Sequence, residues 1–276
     1  MGGFDMHIHT TASDGLWQVD EILRQAQAIG LDGVAITDHD TVSALPEAML
    51  LSKQIGFPVI SGIELSTEFD GKDIHILGYW LNYEDKDLLT RLAELQEQRI
   101  NRACQMAQVL DDLGMPINLA AVLEEAGASV GRPHLARALV KEGYVRTERE
   151  AFMRYLLRGK PAYVPRVKFS PFEALDLLRE NGAACVVAHP GTGAPDKLLE
   201  DLAARGIDGL EVYHPEHDRR KEYHYLKMVK RLRLVVTGGS DFHGKPEVPI
   251  GCKTIPLVQL EMLARSRMTK RSNLGI

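Results

Sequence analysis

The sequence predicts an α/β fold, a closed or nearly closed barrel of seven β/α units interrupted by one helical insert. Three observations predict it. Short runs rich in Val and Ile alternate with amphipathic stretches, glycine closes most of those stretches, and one long segment lacks strand character altogether. With 276 residues, 45% of them apolar, the chain can bury the core of a sizeable α/β domain.

In chain order, strands are expected over 4–9, 33–37, 58–63, 74–79, 184–188, 209–213 and 234–237. Helices are expected over 19–29, 43–55, 171–181, 197–205 and 218–231. Gly30, Gly56, Gly182 and Gly206 stand where those helices need a left-handed C-terminal residue, which glycine adopts without a Cβ clash. Strands alternating with helices imply a mostly parallel sheet. Residues 88–157 break the rhythm. A long helix over 88–113 carries Leu89, Leu92, Leu95, Ile100, Met106 and Leu110 near helical spacing, Gly114 and Pro116 end it, and 119–126, 134–143 and 148–157 form shorter helices. The expected division is therefore a barrel over 1–87 and 158–260, a helical insert over 88–157 that caps the substrate, and a C-terminal tail over 261–276 that starts as a basic surface helix and frays into disorder.

A net charge of −5 offers no global basic footprint for duplex DNA or anionic lipid. No run is long and apolar enough for a membrane span, the first residues lack the apolar run of a signal peptide, and no obligate protein partner is evident. Cys104, Cys185 and Cys252 form no Cys-x-x-Cys pair and sit among apolar neighbours. They are expected as buried, reduced thiols of a cytoplasmic protein.

The chemistry lies at the strand ends, where sites of parallel α/β folds are found. The first strand closes on His7-Ile8-His9, whose i, i+2 spacing turns both imidazoles to one face, and Asp14 follows in the next loop. His39 follows the second strand, Glu64 closes the third, His75 lies in the fourth, His189 follows the fifth, and Asp241-Phe242-His243 repeats the i, i+2 pair after the seventh. Any one of these could be an ordinary satisfied polar side chain. Nine gathered at one barrel mouth would leave unpaired charge unless divalent cations compensate them.

These blocks carry a resemblance. Asp5-Met6-His7-Ile8-His9-Thr10 with Ser13-Asp14-Gly15, then Ile36-Thr37-Asp38-His39-Asp40-Thr41, Gly62-Ile63-Glu64, Ala188-His189-Pro190 and Gly239-Ser240-Asp241-Phe242-His243 resemble the ordered signature blocks of the PHP (polymerase and histidinol phosphatase) family. The resemblance spans most of the chain. It implies a distorted (β/α)₇ barrel, a site of two or three metal ions, and phosphoester hydrolysis by a metal-activated hydroxide. It assigns His7, His9, Glu64 and Asp241 to one ion, Asp14, His39 and His243 to a second, and His75, His189 and the bridging Glu64 to a third. Asp14 stands where some relatives have His; the harder ligand set favours Mn²⁺, with Zn²⁺ or Fe²⁺ as alternatives.

Specificity is expected from the insert. Arg99 and Arg102 lie on the long helix, and Gly131-Arg132-Pro133-His134 would place Arg132 and His134 at a helix N-terminus, where an anion is favoured. Lys160 is a weaker candidate. His214 and His217 are expected at the surface, and His224 as a structural helix residue. Within the family, this layout resembles the stand-alone members that remove the 3′-phosphate of nucleoside 3′,5′-bisphosphates or degrade short RNA from its 5′ end. The expected partner is thus a small nucleotide or short RNA. A histidinol-phosphate-type phosphatase and a non-catalytic metal-binding module are the alternatives.

Overall fold

The computed structural model describes residues 2–274 of the chain, with side chains described through Met268. Seven strands form one sheet in chain order: β1 (Phe4–Ile8), β2 (Gly33–Ile36), β3 (Val59–Phe69), β4 (Lys72–Tyr79), β5 (Ala184–Val187), β6 (Gly209–Tyr213) and β7 (Val235–Gly238). The backbone N–H of His9 donates to the carbonyl of Phe242 at 2.9 Å, joining the segment after β7 to the end of β1 and nearly closing the barrel. The expected α/β barrel is therefore the observed one.

The sheet is parallel except at β4, which runs antiparallel to both β3 and β5. The cause is local. Asp70 and Gly71 both have positive φ (48° and 74°), so β3 and β4 are joined by a two-residue hairpin turn instead of a helix. β3 is consequently longer than expected, and Glu64 sits mid-strand rather than at a strand end.

Helices α1 (Val19–Ala28), α2 (Leu45–Ile55), α7 (Pro171–Glu180), α8 (Asp196–Arg205) and α9 (Arg219–Leu232) surround the sheet. The amphipathic pattern of α1 buries Val19, Ile22, Leu23 and Ala26, while Gly56 and Gly206 end α2 and α8 in the left-handed conformation. Between β4 and β5 lie α3 (Lys86–Asp112), α4 (Leu119–Glu125), α5 (Arg132–Lys141) and α6 (Glu148–Ala151), the last continuing into a π-helical turn over Phe152–Leu156.

The apolar packing does not divide at residue 88. Leu88, Leu92 and Leu95 of α3 belong to the barrel core, whereas Ala103, Met106 and Leu110 of the same helix join Val122, Leu135, Leu139 and Leu156 in a second core that also takes in Ala162. The expected C-terminal helix is present and starts earlier than residue 261. α10 runs over Leu257–Leu274, and Leu263 is fully buried beside Val186 and Val235; residues 275 and 276 lie outside the described residues. Cys185 is buried as expected, but Cys104 and Cys252 are exposed. No helix among the described residues is long and apolar enough to cross a membrane.

Because α3 threads both cores, they should unfold together. Leu110→Ala, a fully buried truncation in the second core, is expected to cost about 2–5 kcal/mol. In urea its fluorescence midpoint, reported by Trp17 and Trp80 of the barrel part, should fall together with the circular-dichroism midpoint. A shift seen by circular dichroism alone would show that the cores are independent.

Candidate metal centre

The nine expected residues converge at one end of the barrel. His7 and His9 leave β1 on the same face with their Nε2 atoms 3.1 Å apart. Glu64 Oε2 lies 3.3 Å from His7 Nε2, 3.2 Å from His9 Nε2 and 3.0 Å from His39 Nδ1. Its other oxygen, Oε1, lies 2.9 Å from both His75 Nδ1 and His189 Nε2. Asp241 Oδ1 approaches His7 Nε2 at 3.3 Å and His9 Nε2 at 3.1 Å, while His243 Nε2 reaches Asp14 Oδ1 at 3.2 Å.

Three groups bring one ligand atom per residue within 4.8 Å of one another: His7, His9, Glu64 and Asp241; His9, Asp14, His39 and His243; and His39, Glu64 and His75. The first is the set expected for one ion. The second adds His9 to the set expected for another. The third pairs Glu64 and His75 with His39, while His189 reaches the same Glu64 oxygen as His75.

Glycines make this approach possible. A Cβ on Gly239 would stand 2.4 Å from the His7 Cβ, so only glycine lets the end of β7 bring Asp241 against β1. A Cβ on Gly15 would meet the His9 carbonyl at 2.5 Å. His189 and Asp241 are non-glycine residues with positive φ, 24° and 51°, sparsely populated conformations that cluster at functional sites. Asp38 holds the loop that presents Asp14: it accepts from the backbone N–H and hydroxyl of Thr10 at 2.7 and 2.8 Å, and from the Ser13 hydroxyl at 2.6 Å.

The electrostatics fit a cation site. Burial works against charge at Glu64, but His39, His75 and His7 outweigh it and hold its carboxyl well below the usual range. Burial also pulls His9 down, yet the neighbouring carboxylates of Asp241 and Glu64 raise it to about 10. Burial dominates at His75, pushing it down to about 4. Buried carboxylates packed among imidazoles are a charge arrangement that divalent ions can compensate. His9 Nδ1, Asp14 Oδ1, Glu64 Oε2 and His75 Nε2 are all buried without a hydrogen-bond partner, which is the condition of ligand atoms awaiting an ion. An N/O donor set without thiolate suits hard or borderline divalent ions.

Sequence reasoning missed several residues here and misplaced others. His214 and His217 are buried, not superficial: His214 Nε2 lies 3.3 Å from Asp241 Oδ2, and His217 Nε2 accepts from the Gly191 N–H at 3.0 Å. His224 is exposed and pairs with Asp196 at 2.9 Å. Glu211, fully buried on β6, lies against His7 and His189; its setting in Gly209-Leu210-Glu211 repeats Gly62-Ile63-Glu64 and was a readable signal.

Beside the His39 and His75 edge, four arginines gather. Arg99 is held by Asp40 Oδ2 at 2.6 Å, Ser66 Oγ at 2.8 Å and the Val130 carbonyl at 3.0 Å; Ser66 Oγ lies 3.4 Å from His39 Nδ1. Arg132 donates to Asp73 Oδ2 at 2.7 Å, and Arg166, not singled out from sequence, lies 3.6 Å from Asp73 Oδ1. Arg102 donates to the Val164 carbonyl at 2.7 Å; burial, with Arg166 and Arg132 nearby, pushes its guanidinium down to about 9. These arginines line two adjoining clefts. Lys160 is exposed.

His134, expected to bind phosphate, makes two contacts within the protein. Its Nδ1 accepts from the Gly131 N–H and its Nε2 faces the Ser13 carbonyl, each at 3.0 Å, so both nitrogens are consumed in tying α5 to the Asp14 loop.

A mouth of histidines and carboxylates on a seven-stranded β/α barrel defines a metal-centred hydrolase scaffold. The family model described as PHP domain matches residues 5–156, and the chain belongs to that family. It is 35% identical over 248 residues to a protein of Haemophilus influenzae named 5′-3′ exoribonuclease, covering 87% of this chain and 89% of the relative. It is 30% identical over 254 residues to the 3′,5′-nucleoside bisphosphate phosphatase of Chromobacterium violaceum, covering 90% and 89%. Among solved structures, a Bifidobacterium adolescentis protein provisionally described as a metal-dependent phosphoesterase matches with a TM-score of 0.89 and 30% identity over 96% of both chains.

His134→Ala is expected to lower stability by about 1–3 kcal/mol by stranding a buried carbonyl and an N–H. It should leave the relative kcat/KM for different phosphoesters unchanged. A selective loss on one phosphoester would return His134 to substrate binding.

Proposed function

We propose that this chain is a metal-dependent phosphoesterase that removes the 3′-phosphate of nucleoside 3′,5′-bisphosphates, degrades short RNA in the 5′-to-3′ direction, or does both, in the cytoplasm. The observation that carries the nucleotide reading is the arginine cluster beside the metal centre. Arg102 Nη2 and Arg166 Nε are buried without a hydrogen-bond partner, and among the described residues Asp40 and Asp73 are the carboxylates paired with the four guanidinium groups. Four guanidinium groups against two carboxylates leave an excess of positive charge that suits a second phosphate. The names of the Haemophilus influenzae and Chromobacterium violaceum relatives support the substrate class.

In this reading His7, His9, Asp14, His39, Glu64, His75, His189, Asp241 and His243 hold two or three divalent ions, Mn²⁺ foremost. When bound, the ions supply a water of lowered pKa and neutralise charge on the phosphoryl oxygens. The protein does the rest. Arg99, fixed by Asp40 and Ser66, and Arg132, fixed by Asp73, hold the non-reacting phosphate, with Arg102 and Arg166 supplying the unpartnered N–H groups. That grip sets which ester lies at the centre, because fixing one phosphate leaves the other little freedom. The helices between β4 and β5 carry three of those four arginines and act as a substrate cap.

Glu64→Gln should lose more than one ion by elemental analysis after Mn²⁺ loading, because five imidazoles share this carboxylate. Wild-type protein that turns over phosphoesters with no bound metal would sink the mechanism.

Arg132→Ala should lower kcat/KM for a nucleoside 3′,5′-bisphosphate by roughly ten- to a hundredfold, since a charge-assisted hydrogen bond is worth about 1.5–3 kcal/mol. The loss on p-nitrophenyl phosphate should be much smaller. Equal losses would place Arg132 on the reacting phosphoryl group or in the fold. A panel that also holds short oligoribonucleotides and histidinol phosphate decides the substrate; a preference for histidinol phosphate would overturn the nucleotide reading.

A further inference from the structure

We infer that Glu211 is a positioning residue that sets the ligating nitrogen of His7 and the backbone of His189 at once. The inference rests on the metal reading above. Glu211 touches two residues of the expected site yet is fully shielded from water: it lies on β6 between the apolar Leu210 and Val212 and has no accessible surface. A buried carboxylate is costly, and an apolar side chain would suit that strand better. Its two oxygens explain its presence. Oε1 lies 3.0 Å from His7 Nδ1, and Oε2 accepts the His189 backbone N–H at 2.7 Å.

An ionised carboxylate only accepts, so the His7 Nδ1 carries the proton and Nε2 is the nitrogen turned to Glu64, His9 and Asp241. The same carboxylate holds His189 at φ 24°, ψ 59°, a conformation that needs external restraint. His217 restrains the next turn. Its Nδ1–H donates to the Val212 carbonyl at 2.8 Å and its Nε2 accepts from Gly191 at 3.0 Å. A Cβ on Gly191 would lie 2.6 Å from the His217 ring, so the loop has no room to drift that way. β6 therefore contributes no ligand to the expected set but fastens two of its members, one from β1 and one from the loop after β5.

Glutamine is not a conservative replacement here. It offers one acceptor and one NH₂ to two N–H groups, so one of them must face a donor. Either His7 changes tautomer and presents a protonated Nε2, or the His189 loop is released.

The test is direct titration of the metal-free protein with Mn²⁺, read by the free-ion electron paramagnetic resonance signal, on wild type and Glu211→Gln. The variant is expected to lose at least one ion or weaken its binding by roughly 10–100-fold. Its melting temperature in EDTA should stay close to that of wild type. Wild type binding Mn²⁺ with the variant matching it in number and affinity would overturn the inference, while leaving the metal reading intact. Wild type binding no Mn²⁺ would overturn both. Should the variant not fold, the histidine ¹⁵N spectrum of the Zn²⁺-loaded wild type decides: His7, assigned by its disappearance in His7→Asn, is expected to ligate through Nε2 with Nδ1 protonated. Ligation through Nδ1 would refute the inference.

Discussion

The structure turns on one buried carboxylate. Glu64 has no exposed surface and five imidazoles, His7, His9, His39, His75 and His189, stand within 3.3 Å of its two oxygens. Taking a carboxylate out of water costs several kcal/mol unless positive charge meets it. Each surrounding histidine comes from a different place along the barrel, except the pair on β1. The position of β1, β2, β4 and the loop after β5 relative to β3 is therefore constrained by a single side chain at their common focus.

The hairpin serves that focus. In an all-parallel barrel, β4 would be reached through a helix and would enter from the opposite end. The Asp70-Gly71 turn sends the chain straight back, pairing Ser66 with His75 and Glu64 with Leu77. Glu64 and His75 are then diagonal neighbours on one face of the hairpin, close enough for side chains to meet. The irregular glycines and the positive φ values of His189 and Asp241 work to the same end from other strands: they bend the backbone where regular geometry would carry the ligand past the centre.

Much of the site was legible because its chemistry is concentrated in short blocks beside strands. His7-Ile8-His9 and Asp241-Phe242-His243 announce themselves by residue type and spacing alone. The hairpin was equally legible, since Asp-Gly between two β-prone runs is a strong turn signal, but the expectation of β/α alternation overrode it. Other features are invisible along one strand. Nothing local to Arg132 or Arg99 tells that Asp73 and Asp40, from distant elements, already hold them. His134 looked like an anion ligand because it starts a helix; its actual partners, Gly131 and Ser13, depend on how α5 meets the first loop. His214 and His217 looked superficial because they follow a strand in a polar stretch, and only the packing of α9 and the His189 loop over them reveals their burial.

Helix α3 has a mechanical consequence. It holds no glycine or proline between Lys86 and Asp112, and at 27 residues it spans about 40 Å. Its first turns are embedded in the barrel core and its last turns in the second core. Kinks gather at proline, glycine or π-bulges, and α3 offers none of these along its length. The second core is thus cantilevered from the barrel on a stiff beam, not hung on a hinge. A displacement at one end of α3 is therefore carried to the other, so the two cores move as one rigid piece.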